Sequence, residues 1–132
     1  MPTSREIIAA AFDRLKDGDT ALWLDAMADN IRYDFVGGDT WDRVYQGKQA
    51  FIEGLGRVVV GKMAPPLRLK VRRIIDAGDD IVVEFISDQT TRAGKPYSNR
   101  YCMILRMEHG KIVDLVEYCD TWRVVAELGE RA

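Results

Sequence analysis

Histidine, cysteine and proline are scarce in this sequence, and the first two scarcities each close off a class of chemistry. His109 is the only histidine in 132 residues. A mechanism built on a histidine base, or a metal held by several imidazoles, has no material here, so neither a metal site nor a cofactor is expected. His109 itself lies in Glu108-His109-Gly110, which reads as an exposed turn between two strands. Acid–base work must then fall to carboxylates, tyrosines or lysines. The two cysteines, Cys102 and Cys119, both sit in apolar strand-like runs, where buried thiols are expected rather than a disulfide, and a cytoplasmic location follows. Long apolar runs are missing too. Stretches such as Ile7–Phe12 are far too short to span a bilayer, and the opening Met1–Glu6 lacks the layout of a secretory signal. There is no basic tract either: 19 Lys and Arg against 21 Asp and Glu leave a net charge of −2, with no stripe to neutralise phosphates. Neither a membrane nor a nucleic acid is an expected partner.

What is present is ordinary globular chemistry, 47% apolar and 30% charged, in a length that suits one domain over residues 1–132. Thr3-Ser4-Arg5-Glu6 has the form of a capping box, and Ile7, Ile8, Ala11, Phe12 and Leu15 follow at helical spacing up to Gly18. Asp19 or Thr20 can cap a second, shorter helix carrying Leu22, Trp23, Leu24 and Met27. Asp29-Asn30 signals a turn, Ile31–Val36 a short strand, and Gly37–Thr40 a loop delivering Trp41 and Tyr45. A third helix is predicted from about Lys48 to Val60, closed by Gly61 and Pro65-Pro66.

The period then changes. Leu67–Arg72 alternates strictly, the signature of a half-buried strand. Further strands are predicted over Ile81–Thr90, Tyr97–Met107 and Lys111–Cys119, with a last helix capped by Thr121 and ending near Leu128. Helices first and an antiparallel meander afterwards give an α+β fold: three N-terminal helices packed into a strongly curved, mostly antiparallel sheet, with a short C-terminal helix. Such a sheet curls into a cone around a dead-end cavity, and its outer face calls for covering by a homodimer.

The hairpin at His109 sets a register. A three-residue loop with Gly110 left-handed places Met107 opposite Lys111 and, counting back, Tyr101 opposite Glu117. Alternation then puts Asn99, Tyr101 and Met103 on one face with Leu115 and Glu117, the phenol and the carboxyl roughly 5 Å apart at Cβ. If that face lines the cavity, desolvation raises the pKa of Glu117 and poises it to move a proton next to a carbonyl or epoxide, with Tyr101 and Tyr33 bonding the oxygen where charge develops. The alternative is that Tyr101 and Glu117 simply satisfy each other. Glu84, alone in an apolar strand, is a second acidic candidate or the partner of Arg73, which alternation sets on the side of Leu69 and Val71. Asn99 is a candidate to fix a polar group of a ligand or a water. Phe35, Trp41, Tyr45, Phe51 and Met103 are candidates for the pocket wall, with ordinary core packing the favoured account of each.

The runs Gly110–Thr121, Gly94–Tyr101 and Tyr45–Ala50, together with the order of elements, resemble the SnoaL-like, ketosteroid-isomerase-like superfamily, which includes nuclear-transport-factor-two-like folds. The resemblance covers essentially the whole chain and implies the cone. It does not carry over one complete residue set. Where steroid isomerases place a tyrosine on the first helix and an aspartate base on the first strand, this chain has Ala11 and Phe35; their second oxyanion-hole acid falls near Tyr101 or Cys102. Limonene-epoxide-hydrolase-like enzymes imply a tyrosine matched by Tyr33 and a carboxylate matched by Glu117, but their Arg-x-Asp pair falls on Glu84-Phe85-Ile86. SnoaL-like cyclases imply an acid–base carboxylate at Glu117. The expected function is therefore a cofactor-free acid–base enzyme acting on a small hydrophobic molecule by cyclisation, isomerisation or epoxide opening. The alternatives are a non-catalytic binder of an apolar ligand and an accessory dimer with no chemistry.

Overall fold

The computed structural model describes residues 1–130. Helix α1 (Ser4–Leu15) begins as its capping sequence dictates: the Glu6 amide donates to Thr3 Oγ1 at 3.1 Å, and the Thr3 hydroxyl bonds the Glu6 carboxylate at 3.1 Å. Its buried stripe is Ile8, Ala11, Phe12 and Leu15. Helix α2 (Ala21–Ala26) follows with Thr20 at its N-cap position, while the Asp19 side chain supplies the hydrogen bond, accepting from the Ala21 amide at 3.0 Å.

Strand β1 (Met27–Val36) absorbs the Asp29-Asn30 pair that reads as a turn in sequence. The pair falls where the pairing of β1 slips, between Met27 and Arg32, so polar exposed residues sit in an irregularity of the strand instead of ending it. After a short 3₁₀ turn (Asp39–Trp41) comes an edge strand, β2 (Arg43–Gln46), pairing Tyr33 with Tyr45 where the sequence suggests only loop. Helix α3 (Lys48–Phe51) passes through a π-helical turn (Ile52–Gly56) into α4 (Arg57–Lys62).

That π turn carries a packing constraint. A Cβ at Gly54 would stand 2.4 Å from Cε1 of Tyr45, whose ring is buried against Tyr33 and Phe51. At Gly61, in α4, an added Cβ meets nothing within 4 Å. Alanine helix propensity favours both substitutions, by up to about 1 kcal/mol, but overpacking at position 54 costs about 1–3 kcal/mol. Gly54→Ala is expected to lower the thermal midpoint and Gly61→Ala to raise it slightly; equal effects in a melting experiment would contradict the packing seen here.

The remaining strands are β3 (Leu69–Ala77), β4 (Asp80–Thr90), β5 (Pro96–Glu108) and β6 (Lys111–Cys119), followed by α5 (Thr121–Leu128). Asp120, not Thr121, caps α5, accepting from the Arg123 amide at 3.3 Å. The six strands form one sheet in the order β2-β1-β6-β5-β4-β3. All pairs are antiparallel except β1–β6, which is parallel and joins the first strand to the last. The buried apolar residues form one cluster between the helices and the inner sheet face. Helix α5 closes over that face: the indole N–H of Trp41 donates to the Gly129 carbonyl at 2.7 Å, and Lys62 Nζ to the Leu128 carbonyl at 3.0 Å.

The β5–β6 register corrects the sequence expectation. His109 and Gly110 both have positive φ, 51° and 76°, so the loop is a two-residue turn that pairs Glu108 with Lys111. A bulge between Arg106 and Met107 then adds a second one-residue slip. Met103, not Tyr101, stands opposite Glu117, and Tyr101 stands opposite Cys119. Two slips of one residue preserve parity beyond the bulge, so Asn99, Tyr101, Met103, Leu115 and Glu117 keep their predicted face while their neighbours change. A single slip does the reverse on β3: a bulge between Val71 and Arg73 turns Arg73 outward, to the face of Glu84.

Candidate functional site

The inner face of the sheet and the helices enclose a cavity of about 460 Å³, within the range of small-molecule sites. Its wall is dominated by apolar side chains: Phe12 and Leu15 from α1, Trp23 from α2, Phe51 and Leu55 from the central helical segment, and Phe85 and Met103 from the sheet. Stacked aromatic pairs, Tyr33 on Phe51 and Phe85 on Tyr101, stiffen it. Polar groups at the wall are fewer: Thr20, Arg57, Gln89, the phenols Tyr33, Tyr97 and Tyr101, and one carboxyl, Glu117.

Glu117 is 6% exposed. Period-two alternation on β6 points it inward beside Leu115, between Phe35 of β1 and Met103 of β5. Its hydrogen bond comes from the Tyr33 hydroxyl, which donates to Oε1. Burial pushes the carboxyl up to about 7, and the Tyr33 hydrogen bond pulls against that rise. Tyr33 is in turn held well above its ordinary value, first by burial and then by the neighbouring Glu117 charge. A carboxyl divided between its two forms near neutrality can both take and return a proton.

A second polar group is a cluster of hydroxyls. Tyr101 bonds Ser87 Oγ at 3.1 Å and donates to the Tyr97 hydroxyl at 3.2 Å. Burial raises both phenols, Tyr97 to about 12. The predicted Tyr101–Glu117 contact is thus replaced by Tyr33–Glu117, because the shifted register carries Tyr101 two pairs further along, opposite Cys119.

Of the residues singled out from sequence, Glu117, Tyr33, Tyr101, Phe35, Trp41 and Met103 line the cavity. Tyr45, Asn99 and Glu84 lie elsewhere. The Tyr45 ring packs behind Tyr33 and Phe51. Asn99 is buried but engaged with backbone, accepting from the amides of Arg100 and Asp120 and donating to the Asp120 carbonyl. Glu84 faces outward in an ion pair with Arg73 at 3.1 Å, the structural account of that residue. Tyr97 and Ser87 were not singled out. Tyr97 was within reach of the same rule that selected Asn99, Tyr101 and Met103, since it shares their parity on β5. Cys102 and Cys119 are both free and belong to opposite faces, Cys102 facing Tyr118 across the ladder and Cys119 facing Tyr101. Burial pushes the Cys119 thiol up to about 12. Among the described residues no cluster of His, Cys, Asp and Glu is suited to a metal ion, and no helix is long and apolar enough to cross a membrane.

A cone of this kind has relatives. The SnoaL-like domain family matches residues 8–115. The chain belongs to the SnoaL-like family. Solved structures share the fold of this SnoaL-like protein across nearly their full length. An NTF2-like protein from Burkholderia thailandensis is 23% identical, with 97% of this chain and 98% of that chain covered at a TM-score of 0.82. A candidate SnoaL-like polyketide cyclase from Jannaschia is 15% identical over 96% and 91%, at 0.78. A protein with a ketosteroid-isomerase-like fold from Catenulispora acidiphila, solved in complex with trimethylamine, is 16% identical over 97% and 95%, at 0.74. At these identities the likeness concerns the fold. No curated protein matches the sequence.

Proposed function

We propose that this SnoaL-like protein is a cofactor-free acid–base enzyme that moves a proton on a small hydrophobic substrate held in the cone, with Glu117 as the group that takes and returns it. One observation carries the reading: a buried carboxyl with a pKa of about 7 stands at the wall of an apolar cavity of about 460 Å³. Tyr33 positions that carboxyl by donating to Oε1. Isomerisation, in which the proton leaves and returns at carbon, and aldol-type cyclisation, in which the proton taken from carbon is returned to the alkoxide oxygen formed as the ring closes, suit the site better than epoxide opening. The Arg-x-Asp pair of the latter chemistry is absent, and Glu84, the carboxylate at that place in the sequence, points to the opposite face.

The test is exchange of carbon-bound hydrogen. α-Tetralone, a rigid aryl ketone, is incubated in deuterium oxide with wild-type protein and with Glu117→Gln, and deuterium uptake beside the carbonyl is followed by NMR. Uptake above the buffer rate in the wild type, lost in the variant, supports the assignment; uptake unchanged by the substitution eliminates it. A binder without chemistry is the second reading, favoured by the incomplete isomerase and hydrolase residue sets, and it predicts saturable binding with exchange at the buffer rate.

The same reading includes a homodimer through the outer sheet face, where Ile75, Ile104 and Tyr118 are exposed beside the paired charges of Arg73 and Glu84. Such a mixture of apolar and opposite charges is complementary to itself. Sedimentation is expected to give a dimer for the wild type and a monomer for the double variant Ile104→Asp, Tyr118→Asp; a monomeric wild type would remove this element.

A further inference from the structure

The three phenols at the cavity wall are not equivalent donors, because each has a single proton to give. Tyr33 gives its proton to Glu117. Tyr101 gives its proton to Tyr97. Both residues that sequence reasoning nominated to stabilise a developing negative oxygen therefore have their protons committed within the protein.

The direction of the remaining bonds is fixed by Asn99. Its side-chain oxygen accepts from two backbone amides, Arg100 at 2.7 Å and Asp120 at 3.2 Å, so the side-chain nitrogen is the end that meets the Tyr97 hydroxyl at 2.7 Å. That nitrogen can only donate. The Asn99 backbone amide donates to Ser87 Oγ at 3.2 Å. Ser87 then gives its own proton to Tyr101 at 3.1 Å, since the Tyr101 proton is already directed at Tyr97. The bonds run one way, from Asn99 through Ser87 and Tyr101 to Tyr97, and a second branch runs from the Asn99 amide directly to Tyr97.

Tyr97 is where both branches end. Its oxygen accepts twice, and among the described residues no group accepts its proton. The residue is 2% exposed and lines the cavity. We infer that Tyr97 is a further catalytic residue, the donor that bonds a carbonyl oxygen of the substrate while Glu117 removes a proton from the adjacent carbon. Two donors feeding one phenol polarise its O–H outward, so the hydrogen bond strengthens as charge builds on the substrate oxygen. In the step itself the C–H bond breaks, its proton passes to the Glu117 carboxylate, and the electron pair shifts through the new C=C bond onto the oxygen facing Tyr97. Return of the proton from Glu117 at the same or a conjugated carbon restores the carbonyl, with nothing consumed. The substrate class that follows is an enolisable ketone on an apolar, ring-sized body. Asn99 and Ser87 act through Tyr97 and Tyr101 and are positioning residues.

This assignment rests on the reading of the cavity as a proton-transfer site, and the experiment separates the two. Binding of α-tetralone and of its methylidene counterpart, in which =CH₂ replaces =O, is measured by quenching of the tryptophans, two of which (Trp23 and Trp41) line the cavity. Wild-type protein is expected to prefer the ketone by about 3-fold to 10-fold, the worth of one hydrogen bond. Tyr97→Phe is expected to erase that preference while leaving affinity for the methylidene compound unchanged, which also reports that the cavity is intact. Glu117→Gln should keep the preference and lose deuterium exchange; Tyr97→Phe should lose both, exchange falling on the order of 10²-fold. A preference that survives in Tyr97→Phe, or that disappears in Tyr101→Phe or Tyr33→Phe instead, overturns the assignment. Failure of both compounds to bind removes the cavity reading and this inference with it. Exchange unaffected by Glu117→Gln defeats the proton-transfer reading alone, since the ketone preference tests Tyr97 separately.

Discussion

Glu117→Gln is expected to fold like the parent and to slow proton exchange by about 10²-fold to 10⁴-fold, the usual contribution of a positioned acid–base group. Glutamine preserves the shape of the side chain and can still accept the Tyr33 hydroxyl through its amide oxygen, so the cavity wall survives. What disappears is the ability to hold a proton. The companion variant Tyr33→Phe works differently. The Tyr33 hydrogen bond lowers the pKa of Glu117 against the effect of burial, so its removal moves the carboxyl further upward. The rate should then rise with pH along a limb displaced to higher pH, with the plateau less affected than in Glu117→Gln. A pH–rate profile for exchange distinguishes a positioning role from a merely structural one; identical limbs in wild type and Tyr33→Phe would refute it.

Stability should carry the same signature without any substrate. In an unfolded chain Glu117 titrates near 4.5, whereas in the fold it titrates at about 7. Between those values the folded protein keeps a proton that the unfolded chain has released. Stability is therefore complete with respect to this group below pH 4.5 and is lost as pH rises through about 7. The separation corresponds to about 3 kcal/mol, or roughly 10 °C in thermal midpoint for a domain of this size. Glu117→Gln has no charge to bury, so it should escape the decline and be the more stable protein at pH 8 and above. Paired melts of wild type and variant across this range measure the effect. Parallel curves would mean that the carboxyl pays no desolvation cost and is not buried in solution.

Much of this site was legible in residue order, for a reason that is specific to sheets. A period of two assigns faces, and the assignment is insensitive to errors that come in pairs. The tight His109-Gly110 turn and the bulge beside Arg106 each slip the ladder by one residue, so Glu117, Tyr101 and Met103 stay inward although their partners differ from those expected. On β3 the single bulge has no counterpart, and Arg73 changes face. The Tyr33–Glu117 bond was out of reach of local reasoning, because it links residues 84 positions apart through the parallel pairing of β1 with β6. Parallel neighbours have no turn between them from which to count. The role of Asn99 was hidden for a related reason: its alternation pointed inward correctly, but only the close approach of Asp120 at the start of α5 occupies it with backbone.

The pairing of first strand with last has a consequence for biosynthesis. On the ribosome, β1 emerges before β2, β3, β4 and β5 and waits for a neighbour that is made after all of them. Until Lys111–Cys119 arrives, one edge of β1 offers unpaired amides and carbonyls, and the Tyr33 hydroxyl lacks its acceptor. Ribosome stalling or premature termination anywhere between β1 and β6 therefore yields a chain with an adhesive open edge and no Glu117, so the carboxyl at the cavity wall and protection from aggregation are acquired together, once β6 has been made.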